Sequence, residues 1–358
     1  MNVAAAADRV LVLRPGVSPS VAPLRALPLR FLRGMGEAQA GPMLERLLSL
    51  CGPAHRVAAR LAWAALRDGA ASPTPAQCSA LRHTALREHL RHLWLDWPQH
   101  LAGRQVDADG LAALGGLWRA LDRDEGFAAA LGVQLLGAPL REWLRWRRQA
   151  DASVALAALR RAPGAPAQAL AGVAEDARRL RLSIDDTLET LTPDAWPALA
   201  RAAFADDGFA ECPRVAGRVA QTGAWARAVR RGGLPPADAL GRLLGRLDDL
   251  AALALDDDGL RGGACAVDAR HALAWVETAR GVLVHLLAVD ACGNVDQYRV
   301  VAPTQWNFHP DGVLARALAA RAPGDPAPTL LAIAGDPCVP FAVEAAARPV
   351  VEADACMN

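Results

Sequence analysis

The residues best placed for chemistry are two cysteines, each set beside a proline. Cys51 stands in Cys51-Gly52-Pro53-Ala54-His55, and Cys338 in Gly335-Asp336-Pro337-Cys338-Val339-Pro340-Phe341. Gly52 ends one helical pattern and Pro53 suits the start of the next, so Cys51 falls near the free N–H groups of a helix beginning. In the second stretch Asp336 reads as an N-cap and Pro337 as the first helical residue. That predicts Cys338 in a first turn, where unpaired N–H groups and the helix dipole favour a thiolate. A thiolate is what a soft metal centre needs. The competing reading is an inert buried cysteine in each place, with His55 a satisfied core histidine.

Two further clusters are weaker. Glu88, His89 and His92 share a helical stripe and are close enough to touch; histidines at i, i+3 can bind a metal, but core-edge hydrogen bonding is the simpler reading. Asp256-Asp257-Asp258-Gly259 resembles part of a calcium loop, yet the other ligand positions are missing, so it reads as a solvated turn.

The elements that must position these residues are mostly helical. Arg9 to Arg14 alternates like a short strand, and prolines at 15, 19, 23 and 28 break any regular structure up to Leu29. A helix is expected from Pro42 to the Cys51 junction, a second from Pro53 to Gly69, and a third from about Ser79 to Trp97, closed by Pro98. From Gly103 to Ala264 helix follows helix, clearest at 111–121, 127–136, 139–151, 153–161 and 240–255. Gly164 to Ala174 reads as a linker, and Gly217 to Arg227 as less helical than its neighbours. The last hundred residues change character: a short helix at His271 to Ala279, then a hairpin of Val282–Val289 and Val295–Val301. Residues 302–310 read as neither helix nor strand, and a helix comes next at Gly312 to Arg321. The expected fold class is α+β, mainly α, with a small antiparallel β element, in a single domain over 1–358. Its parts are a cysteine motif at 45–55, a helical middle at 79–260, and the hairpin with the second cysteine motif at 276–344.

Composition excludes several classes. A net charge of +1 gives no field to recruit nucleic acid or an anionic membrane. Every one of the 39 basic residues is arginine, a mark of GC-rich coding that makes arginine density poor support for phosphate binding. No run approaches the ~20 apolar residues of a membrane span. Seven cysteines without a close pair, and a start without an export signal, predict a reduced, cytoplasmic setting.

Taken in order, the motifs resemble the large subunit of nickel–iron hydrogenase, and more closely its non-catalytic assembly paralogues. Glu45-Arg46-Leu47-Leu48-Ser49-Leu50-Cys51-Gly52-Pro53-Ala54-His55 resembles the family's E-R-x-C-G-x-C-x-x-x-H pattern, with Leu48 in the place of the first cysteine. Glu88-His89-Leu90-Arg91-His92-Leu93-Trp94 resembles D-H-x-x-H-F-Y, and Gln221 to Arg227 resembles E-x-G-P-x-A-R. Glu277 to His285 resembles E-A-P-R-G-x-x-x-H, and Ala302 to Asn307 resembles V-P-T-T-W-N. The tail resembles D-P-C-x-x-C-x-x-H, with Phe341 replacing the second cysteine and Glu344 the histidine.

The resemblance implies a hydrogenase-large-subunit-like helical core and a particular site. The family's four thiolates hold nickel together with an iron that carries carbon monoxide and two cyanides. Cys51 matches a bridging ligand and Cys338 a nickel-only ligand, whereas Leu48 and Phe341 cannot ligate, so no nickel is expected. Arg280 matches the arginine beside the cyanides, Thr304 the hydroxyl that donates to one of them, and Asp336 a carboxylate near that arginine. His55 matches the histidine bonded to the bridging sulfur, and Arg46 and Glu88 come over with their motifs. Such groups orient ligands and tune the metal. The implied function is not catalysis but a maturation scaffold. It would hold the Fe(CN)2(CO) fragment transiently on Cys51 and Cys338, receive it from the maturation proteins that build it, and pass it to the hydrogenase large subunit. A metal-free large-subunit mimic acting as a protein-binding chaperone is the alternative, and an active hydrogenase ranks last. Cys78, Cys212, Cys265, Cys292 and Cys356 match nothing and read as inert thiols. With Glu344 in place of the histidine that precedes proteolytic trimming, the segment Ala345 to Asn358 is expected to stay attached.

Overall fold

Apolar residues repeating at helical spacing dominate the first two thirds of the chain, and the computed structural model turns most of them into helices. It describes residues 9–148, 153–232, 235–257, 259–322 and 325–344. Strand β1 (Leu11–Leu13) leads to helix α1 (Glu37–Leu47), α2 (Gly52–Asp68), the two-residue strand β2 (Ala70–Ala71) and α3 (Pro75–Arg91). Next come α4 (Trp97–Ala102), α5 (Ala108–Arg123), α6 (Phe127–Leu136), α7 (Leu140–Arg147), α8 (Ser153–Arg161) and α9 (Ala165–Arg179). Strand β3 (Asp186–Thr187), α10 (Ala195–Ala205), β4 (Ala220–Gln221), α11 (Ala224–Arg230) and α12 (Ala239–Ala254) complete the helical middle.

The last part carries the main sheet: β5 (Gly262–Ala266), β6 (His271–Thr278), β7 (Gly281–Val289) and β8 (Val295–Val301). With β2 at one edge these form an antiparallel sheet of five strands in the order β2-β5-β6-β7-β8. Helices α13 (Pro303–Asn307), α14 (Val313–Ala319) and α15 (Ala327–Gly335) come after it, and β9 (Phe341–Val343) returns to pair in parallel with β1.

Strand β7 is buried along its whole length because both faces of the sheet are covered. Helix α2 lies on one face and joins the large core with Ala58, Leu61 and Ala62. On the other face Trp196 and Leu199 of α10, with Trp306 of α13, cover Leu273, Val282, Val284 and Leu286. A strand sandwiched in this way reads as a continuous apolar run rather than an alternating one.

Several expectations fail for identifiable reasons. His271 to Thr278 is strand, not helix: an apolar run of eight is too short to assign by pattern, and ladders on both sides decide it. Gly164 to Ala174 is not a linker; Gly164 leads into α9, where Pro166 sits in the first turn that tolerates it. Helix α1 starts at Glu37, with Pro42 inside it. The third helix begins earlier than expected, at Pro75, because Thr74 and Gln77 form a reciprocal cap. It does not stop at Pro98 either: a wide π turn over His92–Asp96 lets the chain continue into α4, with Pro98 in its first turn. The stretch 302–310 contains α13, capped where Gln305 Oε1 accepts the Ala302 N–H.

Candidate metal centre

Cys51 immediately precedes α2, and Cys338 lies in the loop between α15 and β9. Although far apart in sequence, both line one cavity of about 220 Å³. Its wall is mostly apolar, with Leu48, Leu81, Leu283 and Val339 among the lining residues, and its polar groups include His55, Glu88 and Arg280. Leu48 therefore occupies the wall of the same cavity as the two thiols.

Burial pushes the Cys51 thiol up to about 12, and the neighbouring Cys338 and Glu88 add to the effect while Arg280 opposes it. The thiol is protonated at neutral pH, so a metal must displace that proton to bind.

Cys338 is not in a helix's first turn. The apolar run before it is itself helical, as α15, so Asp336 caps the end of that helix in a left-handed conformation with φ 52°. Pro337 then prevents continuation. The Cys338 sulfur is positioned by Thr304, which donates to it from Oγ1 at 3.1 Å and accepts the Cys338 N–H at 3.0 Å. Thr304 thus points at the sulfur.

Arg280 sits in the tight turn between β6 and β7. Its Nη1 lies 2.8 Å from Glu88 Oε2, and its Nε lies 3.4 Å from Asp336 Oδ1. Burial works against its charge, but Glu88 and Cys338 outweigh that and raise its pKa. Nε is buried and makes no hydrogen bond among the described residues; it faces the Asp336 carboxylate at ion-pair range. Two glycines make this turn possible. Gly281 (φ 131°) and Gly223 (φ 116°) lie where any Cβ would come within 2.5 Å of Thr222 and 2.7 Å of Arg280 O respectively. The Gln221-Thr222-Gly223 and Arg280-Gly281 motifs are therefore two sides of one backbone contact.

Asp336 is buried among cations: it pairs with Arg246 as well as Arg280, and His92 Nε2 lies 3.4 Å away. His89 and His92 have carboxylate partners of their own. His89 Nε2 meets Asp249 at 2.9 Å and His92 Nδ1 meets Asp96 at 2.7 Å. Both are hydrogen-bond partners within the core, His89 with no exposed surface and His92 with almost none. Asp249, which lies in none of the motifs, also binds Arg227 and Arg231 and so joins the His89 and Arg227 motifs in one inward ion network.

The structure does not bring Arg46 to this place. It is exposed on α1 and absent from the cavity lining, because the short turn after α1 carries Leu48 and Cys51 inward instead. His55 does line the cavity, but its Nδ1 is hydrogen-bonded with His285 Nε2, 2.9 Å apart, and not with the sulfur. Cys78, Cys212, Cys265 and Cys292 lie away from the lining, and Cys356 and the segment 345–358 lie outside the described residues. Among the described residues no group of three or more His, Cys, Asp or Glu is gathered as a metal cage. No helix among them is long and apolar enough to cross a membrane.

The chain is 34% identical to the hydrogenase expression/formation protein HoxV of Cupriavidus necator, across 96% of this chain and 97% of that protein. It belongs to the hydrogenase expression/formation proteins. A second relative, HupK of Rhizobium leguminosarum bv. viciae, is 32% identical over 88% of each chain. No family model matches the sequence.

The fold is that of hydrogenase large subunits. The Ni-Fe-Se hydrogenase of Desulfomicrobium baculatum in its reduced, active form superposes with a TM-score of 0.51 at 12% identity, covering 89% of this chain and 94% of that one. An NAD+-reducing [NiFe]-hydrogenase gives 0.50 at 15% identity, covering 88% and 91%. At such identity the likeness concerns the backbone. A maturation protein has thus been built on the architecture of the enzyme class its relatives serve.

Proposed function

We propose that this protein is a maturation scaffold that takes up the Fe(CN)2(CO) fragment as cargo and passes it to a hydrogenase large subunit. The observation that carries this reading is the cavity lined by both Cys51 and Cys338, with Leu48 in its wall and Arg280 among its lining residues. An iron whose positions are largely filled by small diatomic ligands needs few ligands from the protein, and two thiolates suit it chemically. A guanidinium next to the cavity complements the partial negative charge on cyanide nitrogen. The apolar wall keeps water from competing for the metal.

A grip by two sulfurs also suits release, since a receiving subunit that offers more thiolates binds the same iron more tightly. Nickel has no four-sulfur cage here, because Leu48 and Phe341 stand where thiolates would be required. The partners are the proteins that assemble the iron fragment and the hydrogenase large subunit that receives it. Thiols that must stay reduced to hold iron suit a reducing cytoplasm as the place of exchange.

Infrared spectroscopy of protein purified from a maturation-competent host tests the reading. CO and CN stretching bands are expected in the wild type and absent in Cys51→Ala and in Cys338→Ala. A double variant that keeps the bands, or a wild type that never shows them, refutes it.

A further inference from the structure

A line of three buried side chains leads from the cavity into the sheet. His55 faces the cavity, and its Nδ1 lies 2.9 Å from His285 Nε2. His285 Nδ1 in turn lies 2.7 Å from the hydroxyl of Tyr298, the sole tyrosine of the sequence. The residues are 4%, 0% and 6% exposed. The β7–β8 register sets the spacing: Leu287 stands opposite Tyr298, so His285, two residues earlier, is its diagonal neighbour on the same face. Helix α2 packs over that face and brings His55 to the end of the line.

The direction of the protons is set at the far end. A phenol has one proton to give, and among the described residues the hydrogen-bond partner of this hydroxyl is His285 Nδ1, so Tyr298 donates there. A neutral imidazole carries a single N–H. His285 therefore holds its proton on Nε2 and donates to His55 Nδ1. His55 must then hold its own proton on Nε2, the nitrogen left for the cavity. Burial lowers His285 well below the usual histidine range and His55 to about 3, so both rings are neutral at physiological pH.

We propose that Tyr298 and His285 are positioning residues that lock His55 in the Nε2–H tautomer, so that an N–H donor rather than a lone pair faces the cargo site. The choice matters because the groups expected there, a thiolate sulfur and cyanide nitrogens, are all acceptors. A donor stabilises them and draws electron density from the iron; a lone pair would repel them. This inference rests on the cargo reading only for its consequence, since the tautomer exists in the empty protein.

The test uses the full chain with 15N-labelled histidine and long-range 1H–15N correlations near neutral pH. His55 and His285 are each expected with the proton on Nε2. Tyr298→Phe, which removes one oxygen, is expected to shift both rings toward Nδ1–H. Nδ1–H on wild-type His55, or unchanged tautomers in Tyr298→Phe, overturns the proposal. Should that variant not fold, 3-fluorotyrosine at the single tyrosine strengthens the donor with the fold kept. It is expected to move the His285 Nδ1 signal, and an unmoved signal overturns the proposal. In cargo-loaded protein, Tyr298→Phe is expected to retain the CO and CN bands at shifted frequencies, whereas a purely structural role would lower thermal stability and leave the frequencies in place. Bands missing from the wild type would sink the cargo reading while the tautomer measurement still decides this one.

Discussion

Thr304 and Cys338 are joined by two reciprocal hydrogen bonds, hydroxyl to sulfur at 3.1 Å and amide to hydroxyl at 3.0 Å. Thr304 is completely buried, and its helix α13 is anchored at the end of β8. The sulfur is therefore located by a hydroxyl from the sheet side rather than by a helix of its own. Thr304→Val keeps the shape but leaves the Cys338 amide without its acceptor, a loss of about 1–3 kcal/mol. Urea denaturation should show stability falling by that amount, with Thr304→Ser near wild type. Equal midpoints for the valine and serine variants would contradict this account.

Glu88 and Arg280 form a second such pair, 2.8 Å apart and nearly closed to solvent. Arg280→Met strands a buried carboxylate, which typically costs ~3–5 kcal/mol. Arg91, 3.6 Å from the same carboxylate, brings the expectation to the lower end. Adding Glu88→Gln removes the stranded charge, so the double variant should be more stable than Arg280→Met alone. Thermal melts of the four proteins in the cycle give the coupling directly.

Glu189 gives stability a pH dependence. Burial, reinforced by the charge of Glu277, raises its carboxyl to about 7, while Arg227 and hydrogen bonds from Thr222 and Gly223 pull the other way. A carboxyl whose folded pKa exceeds its unfolded value binds more protons when folded. Its contribution is full below the unfolded value, near 4.5, and is lost as pH rises through about 7. At roughly 1.4 kcal/mol per unit, the loss approaches ~3 kcal/mol. Glu189→Gln should flatten unfolding free energy between these limits; a slope that survives the substitution assigns it elsewhere.

Glu344 ties the end of the described chain to its beginning. Its amide donates to Leu13 O at 2.9 Å and its side chain meets Arg14 at 2.9 Å, extending the β1–β9 pairing. Because Glu344 stands where the resembled family has the histidine that precedes trimming, purified protein should keep the segment Ala345 to Asn358. Intact mass decides this, and a product ending near Glu344 would refute it.

Much of the fold was legible in the residues. The Cys51-Gly52-Pro53 junction, helices α2, α5, α6 and α12, and the β7–β8 hairpin can be read from spacing, caps and turn residues. Some elements that escaped carried a local signal, such as the Thr74–Gln77 cap of α3 and the Ala302–Gln305 cap of α13; others turned on their tertiary surroundings. Strand β6 was hidden because so short an apolar run fits either pattern and its ladders decide. Asp336 has the chemistry of an N-cap, but the buried helix before it claims it as a C-cap. Arg46 belongs to a recognisable motif yet lies on the outer side of α1. His285 stood in a motif, but its partner Tyr298 carried no local signal; only strand register pairs them.

By itself the sequence determined which chemistry is available: two thiols, with Leu48 and Phe341 where two more would be needed, and an ordered set of motifs that identifies the family. It could do so because side-chain type and order are local properties. Only the tertiary structure decided that Cys51 and Cys338 open into the same cavity, that Thr304 holds one of them, and that His55 answers to His285. Those relationships depend on α2 lying across the sheet and on β9 returning to β1, and no spacing along the chain encodes a distance between elements so far apart.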